Sequence, residues 1–410
     1  MARWILPPEL DDMILDHLHN DTAALSQCAR VRRSWLPSAR HHLWRELKLF
    51  CSEDELLQFN VLLDSSLAIS FYVCDVSVVQ KKGEVCQWND LHLLHLTLAA
   101  LARLPRLDSL VLDGLWFGAP RRGERTPLPT FLTVRSLAVS TCSFDTFEDV
   151  QRLCYAFPAL QRLRLDGVWW GRWAPETPPT HDGDLQIAKC SANFRELDLG
   201  SCFSRDKVID WLMDTLPTAS VETLRLPIVG AYDMRLQDLL AFVGPALTHL
   251  EIGSPSTSTG SVRQVDTGTR KPLESYLDLS QNTNLQTLAL GVPTYRDPQF
   301  ITLWLATVLA QVASTVLREV RFAVYPILRS DAGDAETMLC AFGWSEVVRV
   351  LSSESQFSGL QKVTFVSGRS TDYLQIPGAF VPLQPLLQKS IPKFFEALRE
   401  RGVELDYQCI

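Results

Sequence analysis

Nine times along the chain, apolar residues recur at the first, fourth and sixth positions of a six-residue frame. The copies are LDSLVL at Leu107, VRSLAV at Val134, LQRLRL at Leu160, FRELDL at Phe194 and VETLRL at Val221. They continue with LTHLEI at Leu247, LQTLAL at Leu285, LREVRF at Leu317 and LQKVTF at Leu360. Their starts lie between 26 residues (134 to 160) and 43 residues (317 to 360) apart. Alternate side chains of a strand face opposite sides, so the fourth and sixth positions point into one core. A unit of this length has no core of its own and must stack on its neighbours.

The segments between copies read as helices. Examples are SFDTFEDVQRLCYAF before Leu160, SRDKVIDWLMDTL before Val221 and MRLQDLLAFV before Leu247, with Ser143 or Asp145, and Ser204, as N-caps. LAISFYV from Leu67 reads as a divergent first copy. Strand plus helix, repeated, predicts an α/β chain with a curved parallel sheet. A conventional doubly wound sheet would carry longer apolar runs.

Ahead of the repeats stands WILPPELDDMILDHLHND. Pro7 or Pro8 suits a first helical turn, where its missing N–H costs nothing. Glu9, Asp11 and Asp12 complement the positive end of the helix dipole. Leu10, Met13, Ile14 and Leu18 form an apolar stripe. Asp21 can cap a second helix with Leu25, Cys28, Ala29 and Val31, ending near Trp35. After Pro37, SARHHLWRELKL offers a third with Leu43, Trp44 and Leu47. Three short helices cannot bury this much apolar surface alone, which points to a partner.

The segment LPPELDDMILDHLHNDTAALSQCARVRRSWLPSARHHLWRELKL resembles an F-box of the kind found in large fungal families. The matching residues are Leu6, Pro7, Glu9, Ile14, Leu18, Leu25, Cys28, Val31, Trp35, Leu43 and Trp44. The resemblance implies a module, residues 1–50, that docks on the Skp-family adaptor of an SCF ubiquitin ligase and through it on a cullin scaffold. Leu6 and Pro7 would enter the adaptor, and Ile14, Leu18, Trp35 and Trp44 would complete a mixed core. The copies beyond Leu101 resemble leucine-rich repeats without the regular Asn or Cys of that family. An F-box followed by such repeats is a recognised layout. It implies a connecting segment and divergent first repeat at 51–105, a solenoid at 106–410, and a substrate receptor for a protein target. The other reading makes these helices a cap on the solenoid's first layer.

Outward-facing strand residues, among them Arg162, Arg164 and Arg225, are candidates for contact with that target. DGLWFG at Asp113 recurs as DGVWWG at Asp166, with Trp173 just beyond. Asp-Gly supplies a turn, and large aromatics near strand ends are favoured anchors, so Trp116, Phe117, Trp169, Trp170 and Trp173 are further candidates. The structural alternative folds these rings back as a seal. Three segments read as projecting loops, starting at Gly118, Ala174 and Gly253.

Composition narrows the function classes. Apolar residues make up 46% and charged residues 21%, which rules out wholesale disorder. The net charge, 39 − 47 = −8, and the lack of a long basic run argue against nucleic acid. Ten scattered cysteines form no C-x-x-C pair. Charges within Met1–Leu18 argue against a secretory signal, so cytosol or nucleus is expected. Pro298–Leu317 is uncharged but broken by polar residues, and it reads as a buried helix rather than a membrane span. His17/His19 and His41/His42 have the wrong spacing for one metal. No nucleophile-elbow, phosphate-loop, dinucleotide or zinc-protease motif occurs. A non-enzyme without cofactor or metal is expected.

Overall fold

The structure, a computed structural model, describes residues 7–65, 69–81, 90–117, 128–171, 193–216, 220–230, 235–256, 277–293, 298–325, 332–367 and 383–409. The chain divides into two compact units, Met1–Ala192 and Asn193–Ile410. Each is mixed α/β around parallel strands, and neither strand set closes into a barrel.

The first unit opens with α1 (Pro8–His17), α2 (Thr22–Val31) and α3 (Leu36–Trp44). Pro7 is the N-cap of α1, and the Asp21 carboxylate accepts the Ala24 N–H at 2.8 Å to cap α2. Pro37 does not break the chain; it occupies the first turn of α3, where a proline loses no hydrogen bond. Next come β1 (Glu46–Phe50), α4 (Glu53–Asp64), β2 (Asp75–Val79), α5 (Asp90–Leu101), β3 (Ser109–Asp113) and β4 (Trp116–Phe117). They are followed by β5 (Ser136–Ser140), β6 (Ser143–Phe144), α6 (Phe147–Tyr155), β7 (Arg162–Asp166) and β8 (Trp169–Trp170). The main set runs β1-β2-β3-β5-β7, all parallel. The two-residue strands β4, β6 and β8 form a second parallel ladder.

The second unit contains β9 (Glu196–Leu199), α7 (Arg205–Thr215), β10 (Thr223–Gly230), α8 (Leu236–Val243), β11 (His249–Ser256) and β12 (Thr287–Pro293). After these come α9 (Pro298–Ala310), β13 (Glu319–Tyr325), α10 (Ala332–Ala341), α11 (Trp344–Leu351), β14 (Lys362–Ser367), α12 (Leu383–Ser390), α13 (Glu396–Glu400) and β15 (Glu404–Cys409). Its strands lie side by side in chain order, again all parallel.

All nine sequence copies are strands, and each strand begins at the third position of its frame. The registers place equivalent residues opposite one another, as with Leu110, Leu137 and Leu163, or Leu224, Leu250 and Leu288. In every copy the first, fourth and sixth residues are buried. At about 1.5–3 kcal/mol for each fully buried aliphatic side chain, this repeated triplet is the main source of cohesion.

Three further strands begin at the third position of a similar frame, the last with glycine in first place, and were not expected from the sequence. WRELKL from Trp44 supplies β1, VCDVSV from Val73 supplies β2, and GVELDY from Gly402 supplies β15. The strand expected within LAISFYV is instead a 3-10 turn at Ile69–Phe71, with β2 lying further on; Leu67 falls outside the described residues. Leu47, expected on the third helix, sits in β1. The cap of α6 is Thr146, in a capping box with Asp149, rather than Ser143 or Asp145. Ser204 stands at the N-cap of α7 without a side-chain cap bond.

Helix ends in the second unit are satisfied from a distance. The Asn282 amide donates to the carbonyls of Leu240 and Gly244 at the end of α8, both at 3.0 Å. The Gln356 amide serves Leu309, Ala310 and Val312 at the end of α9, and Arg401 serves Leu351 and Phe357 after α11. Helix α9 covers only Pro298–Ala310, burying Ile301, Trp304, Leu305, Val308 and Leu309. Among the described residues, no helix is long and apolar enough to cross a membrane.

Candidate functional site

The three N-terminal helices have a core of their own. Leu15, Leu25 and Ala39 are fully buried, and Leu18, Cys28, Ala29, Trp35 and Leu43 pack around them. The face of α1 turned inward is Asp11, Leu15 and Leu18, spaced i, i+4, i+7. Asp11 is buried and accepts from Arg32 at 3.1 Å. The flanking Asp12 accepts from the Ser38 hydroxyl at 2.6 Å, and Asp16 lies 2.9 Å from His42 Nε2. The acidic residues of α1 therefore fasten it to the segment spanning Arg32–Trp44.

This orientation leaves the other stripe outside. Leu10 is 43% exposed, Met13 55%, Ile14 39% and, on α2, Val31 70%. The residues expected to dock a partner thus divide. Pro7, Glu9, Ile14 and Val31 are exposed, whereas Leu18, Trp35, Leu43 and Trp44 are half-buried and Leu25 is fully buried. Leu6 lies outside the described residues. Leu10 and Met13 belong with the exposed group. Leu15 was the missed core residue; its i, i+4 partnership with Asp11 hid it, because an aspartate rarely marks a buried face.

The aromatic repeat has a second geometry. Asp113, Ser140 and Asp166 stand in register, and the next residues, Gly114, Thr141 and Gly167, all have positive φ (72°, 50° and 62°). Each strand turns there, and Leu115, Cys142 and Val168 then point inward. Burial pushes the Cys142 thiol up to about 12, so it is an inert core group. Next come Trp116, Ser143 and Trp169, then Phe117, Phe144 and Trp170. The last three are buried; Phe117 stacks on Phe144 at 4.6 Å, and Trp170 meets Phe147 at 5.1 Å. Phe117 and Trp170 are therefore packed inward, as in the alternative that folds these rings back as a seal. Trp116 is half-exposed and Trp169 is 40% exposed, on the opposite face of the ladder. Trp173 lies outside the described residues, as do most of the three candidate loops.

Gly167 shows how tight this turn is. A Cβ added there would lie 3.2 Å from the Thr141 backbone, whereas one at Gly171, also at positive φ, would meet nothing within 4 Å. Gly171→Ala is expected to cost about 1–2 kcal/mol of left-handed strain, and Gly167→Ala more, because it adds a clash with main chain. Equilibrium denaturation of the two variants measures the difference.

The candidate arginines on the main strands are engaged with carboxylates. Arg162 approaches Asp108 at 3.3 Å and Arg164 approaches Asp166 at 3.7 Å. Arg225 bridges Glu196 and Glu251. Further along, Arg321 donates to Glu319 at 2.8 Å. Burial alone would raise the Glu319 carboxyl, but hydrogen bonds from Arg321 and Thr364 hold it below the ordinary range. These faces are mixed-charge ladders.

Among the described residues, no group of three or more His, Cys, Asp or Glu is placed to hold a metal. No protein-family model matches the chain, and no curated protein is significantly similar to it.

Proposed function

We propose that the protein is a non-catalytic substrate-recognition subunit of an SCF-type ubiquitin ligase. In this reading α1–α3 are an F-box that docks on a Skp-family adaptor, and the strand repeats form a leucine-rich-repeat-like solenoid that captures a protein target. The supporting observation is the N-terminal module itself: it completes a core with Leu15, Leu25 and Ala39, yet leaves Leu10, Met13, Ile14 and Val31 in solvent. Leu10, Met13 and Ile14 share one face of α1, and apolar side chains grouped in this way are the form of a docking surface. The receptor contributes proximity: it holds the target beside a ubiquitin-charged enzyme, and the chemistry belongs to the partners.

The test is a pulldown of the adaptor with wild type and with Met13→Asp/Ile14→Asp. Both positions are exposed, so the variant is expected to keep its circular dichroism spectrum and lose adaptor binding. Capture of the adaptor by the folded double variant sinks the reading.

A second reading rests on the direct passage from α3 into β1, with no linker between Trp44 and Glu46 beyond Arg45. There the helices cap the sheet of an interaction scaffold with no ubiquitin role. Under it, wild type retains no adaptor at all.

A further inference from the structure

A groove of about 520 Å³ crosses the entry ends of β10, β11, β12 and β13. Its floor carries the residue just before each strand: Glu222, Thr248, Gln286 and Arg318. Parallel registers align Thr223, His249, Thr287 and Glu319, so the four preceding residues also stand in a row. Their backbone is rigid. The Glu222 carbonyl accepts from both Thr248 and His249, that of Thr248 from Gln286 and Thr287, and that of Gln286 from Arg318 and Glu319. The wall is formed by the turns that lead into the strands, where Asn284 Nδ2 donates to the Pro245 carbonyl at 2.9 Å and Val316 is exposed.

The row has a polarity. Glu222 stands at one end, with its nearest cation, Arg195, at 3.9 Å and both side chains more than half exposed. Arg318 stands at the other end. Among the described residues, neither its guanidinium nor the Gln286 amide has a hydrogen-bond or ion-pair partner, in contrast to Arg162, Arg164, Arg225 and Arg321. Three strand steps of about 4.8 Å separate the two charges by about 14 Å. An extended peptide covers that distance in about four residues. Gln286 can donate to and accept from a peptide main chain between them, while Val316 and Pro245 offer an apolar contact for one short side chain.

We propose that this groove binds an extended peptide segment with an acidic and a basic side chain about four residues apart, the acid on Arg318 and the base on Glu222. This deepens the substrate-receptor reading, on which it rests for the origin of the peptide, by assigning the recognised chemistry to one edge of the strand array.

The test pans a phage-displayed library of random peptides, each about seven residues long, against the full chain and against Arg318→Glu. Wild type is expected to enrich peptides with opposite charges about four positions apart. A fluorescein-labelled peptide of that consensus is expected to bind Arg318→Glu and Arg318→Gln at least about tenfold more weakly, since each variant loses charge-assisted hydrogen bonds. Two exposed-residue variants guard against a folding artefact, and an unchanged circular dichroism spectrum verifies each. The absence of any charge-spaced consensus overturns the proposal. So does a consensus peptide that binds folded Arg318→Gln and Arg318→Glu within about twofold of wild type, well inside what losing a charge-assisted bond costs. The adaptor pulldown reads a different surface, so either result can fail without the other.

Discussion

Trp344→Ala is expected to destabilise the second unit by about 3–5 kcal/mol, a large part of what holds a domain together. Trp344 is 1% exposed and lies at the start of α11, among the rings of Phe322 (5.6 Å), Phe365 (5.7 Å), Phe342 (5.7 Å) and Phe395 (6.0 Å). Phe322 and Phe365 come from the sixth positions of two successive strand copies, and Phe395 from the turn before α13. One side chain therefore joins β13, β14 and the last helices. Its indole N–H also donates to the Leu339 carbonyl at 2.9 Å, so truncation leaves a cavity and an unpaired buried acceptor. Trp344→Phe keeps most of the packing and loses the N–H, and it is expected to cost about 1–2 kcal/mol. The check is urea denaturation together with hydrogen exchange on peptides from β13–β15. A loss below about 1 kcal/mol for the alanine variant would contradict a core built around this ring.

Asn282→Ala is the second large effect, expected at about 2–3 kcal/mol from the loss of two buried hydrogen bonds. Asn282 is 1% exposed, and its amide is the side-chain partner of the Leu240 and Gly244 carbonyls. The Leu240 carbonyl also accepts the Gly244 N–H, and the Gly244 carbonyl the Leu247 N–H at 3.4 Å, so the asparagine supplies the further bond that completes each acceptor at this helix end. Here they lie too deep for water to replace the asparagine. Asn282→Asp offers no N–H donor from an ionised carboxylate and is expected to cost at least as much. Hydrogen exchange should accelerate in α8 and in the segment entering β12, with α7 changing less. Uniform, unchanged protection across α8 would show that the helix end does not depend on this side chain.

The repeating strands were legible in the sequence because their physical requirement is local. A six-residue strand needs apolar residues at alternate positions on one face, and substitution among Leu, Val, Ile and Phe leaves that pattern visible. The terminal strands escaped notice for particular reasons. In WRELKL the tryptophan also ends the helix ahead of it, VCDVSV begins at the last residue of the equally apolar LAISFYV, and GVELDY lacks an apolar first residue. At the aromatic turn, Asp-Gly announced two rungs, but Ser140-Thr141 concealed the middle one. A threonine at φ 50° is a conformation that local propensity argues against.

The N-terminal helices divide the same way. The sequence alone determined that α1 is amphipathic, where it starts and how α2 is capped, since proline, carboxylates and spacing act within one turn. It equally determined the position and phase of the strands in the nine copies. Only the tertiary structure decided which face of α1 turns inward, because hydrogen bonds between Arg32, Ser38 and His42 and the carboxylates of Asp11, Asp12 and Asp16 join residues more than twenty positions apart. It likewise decided that Arg162 and Arg225 are matched by carboxylates from other repeats while Arg318, among the described residues, is not. Charge pairing across strands depends on register, and register is a property of the assembled sheet rather than of any one segment.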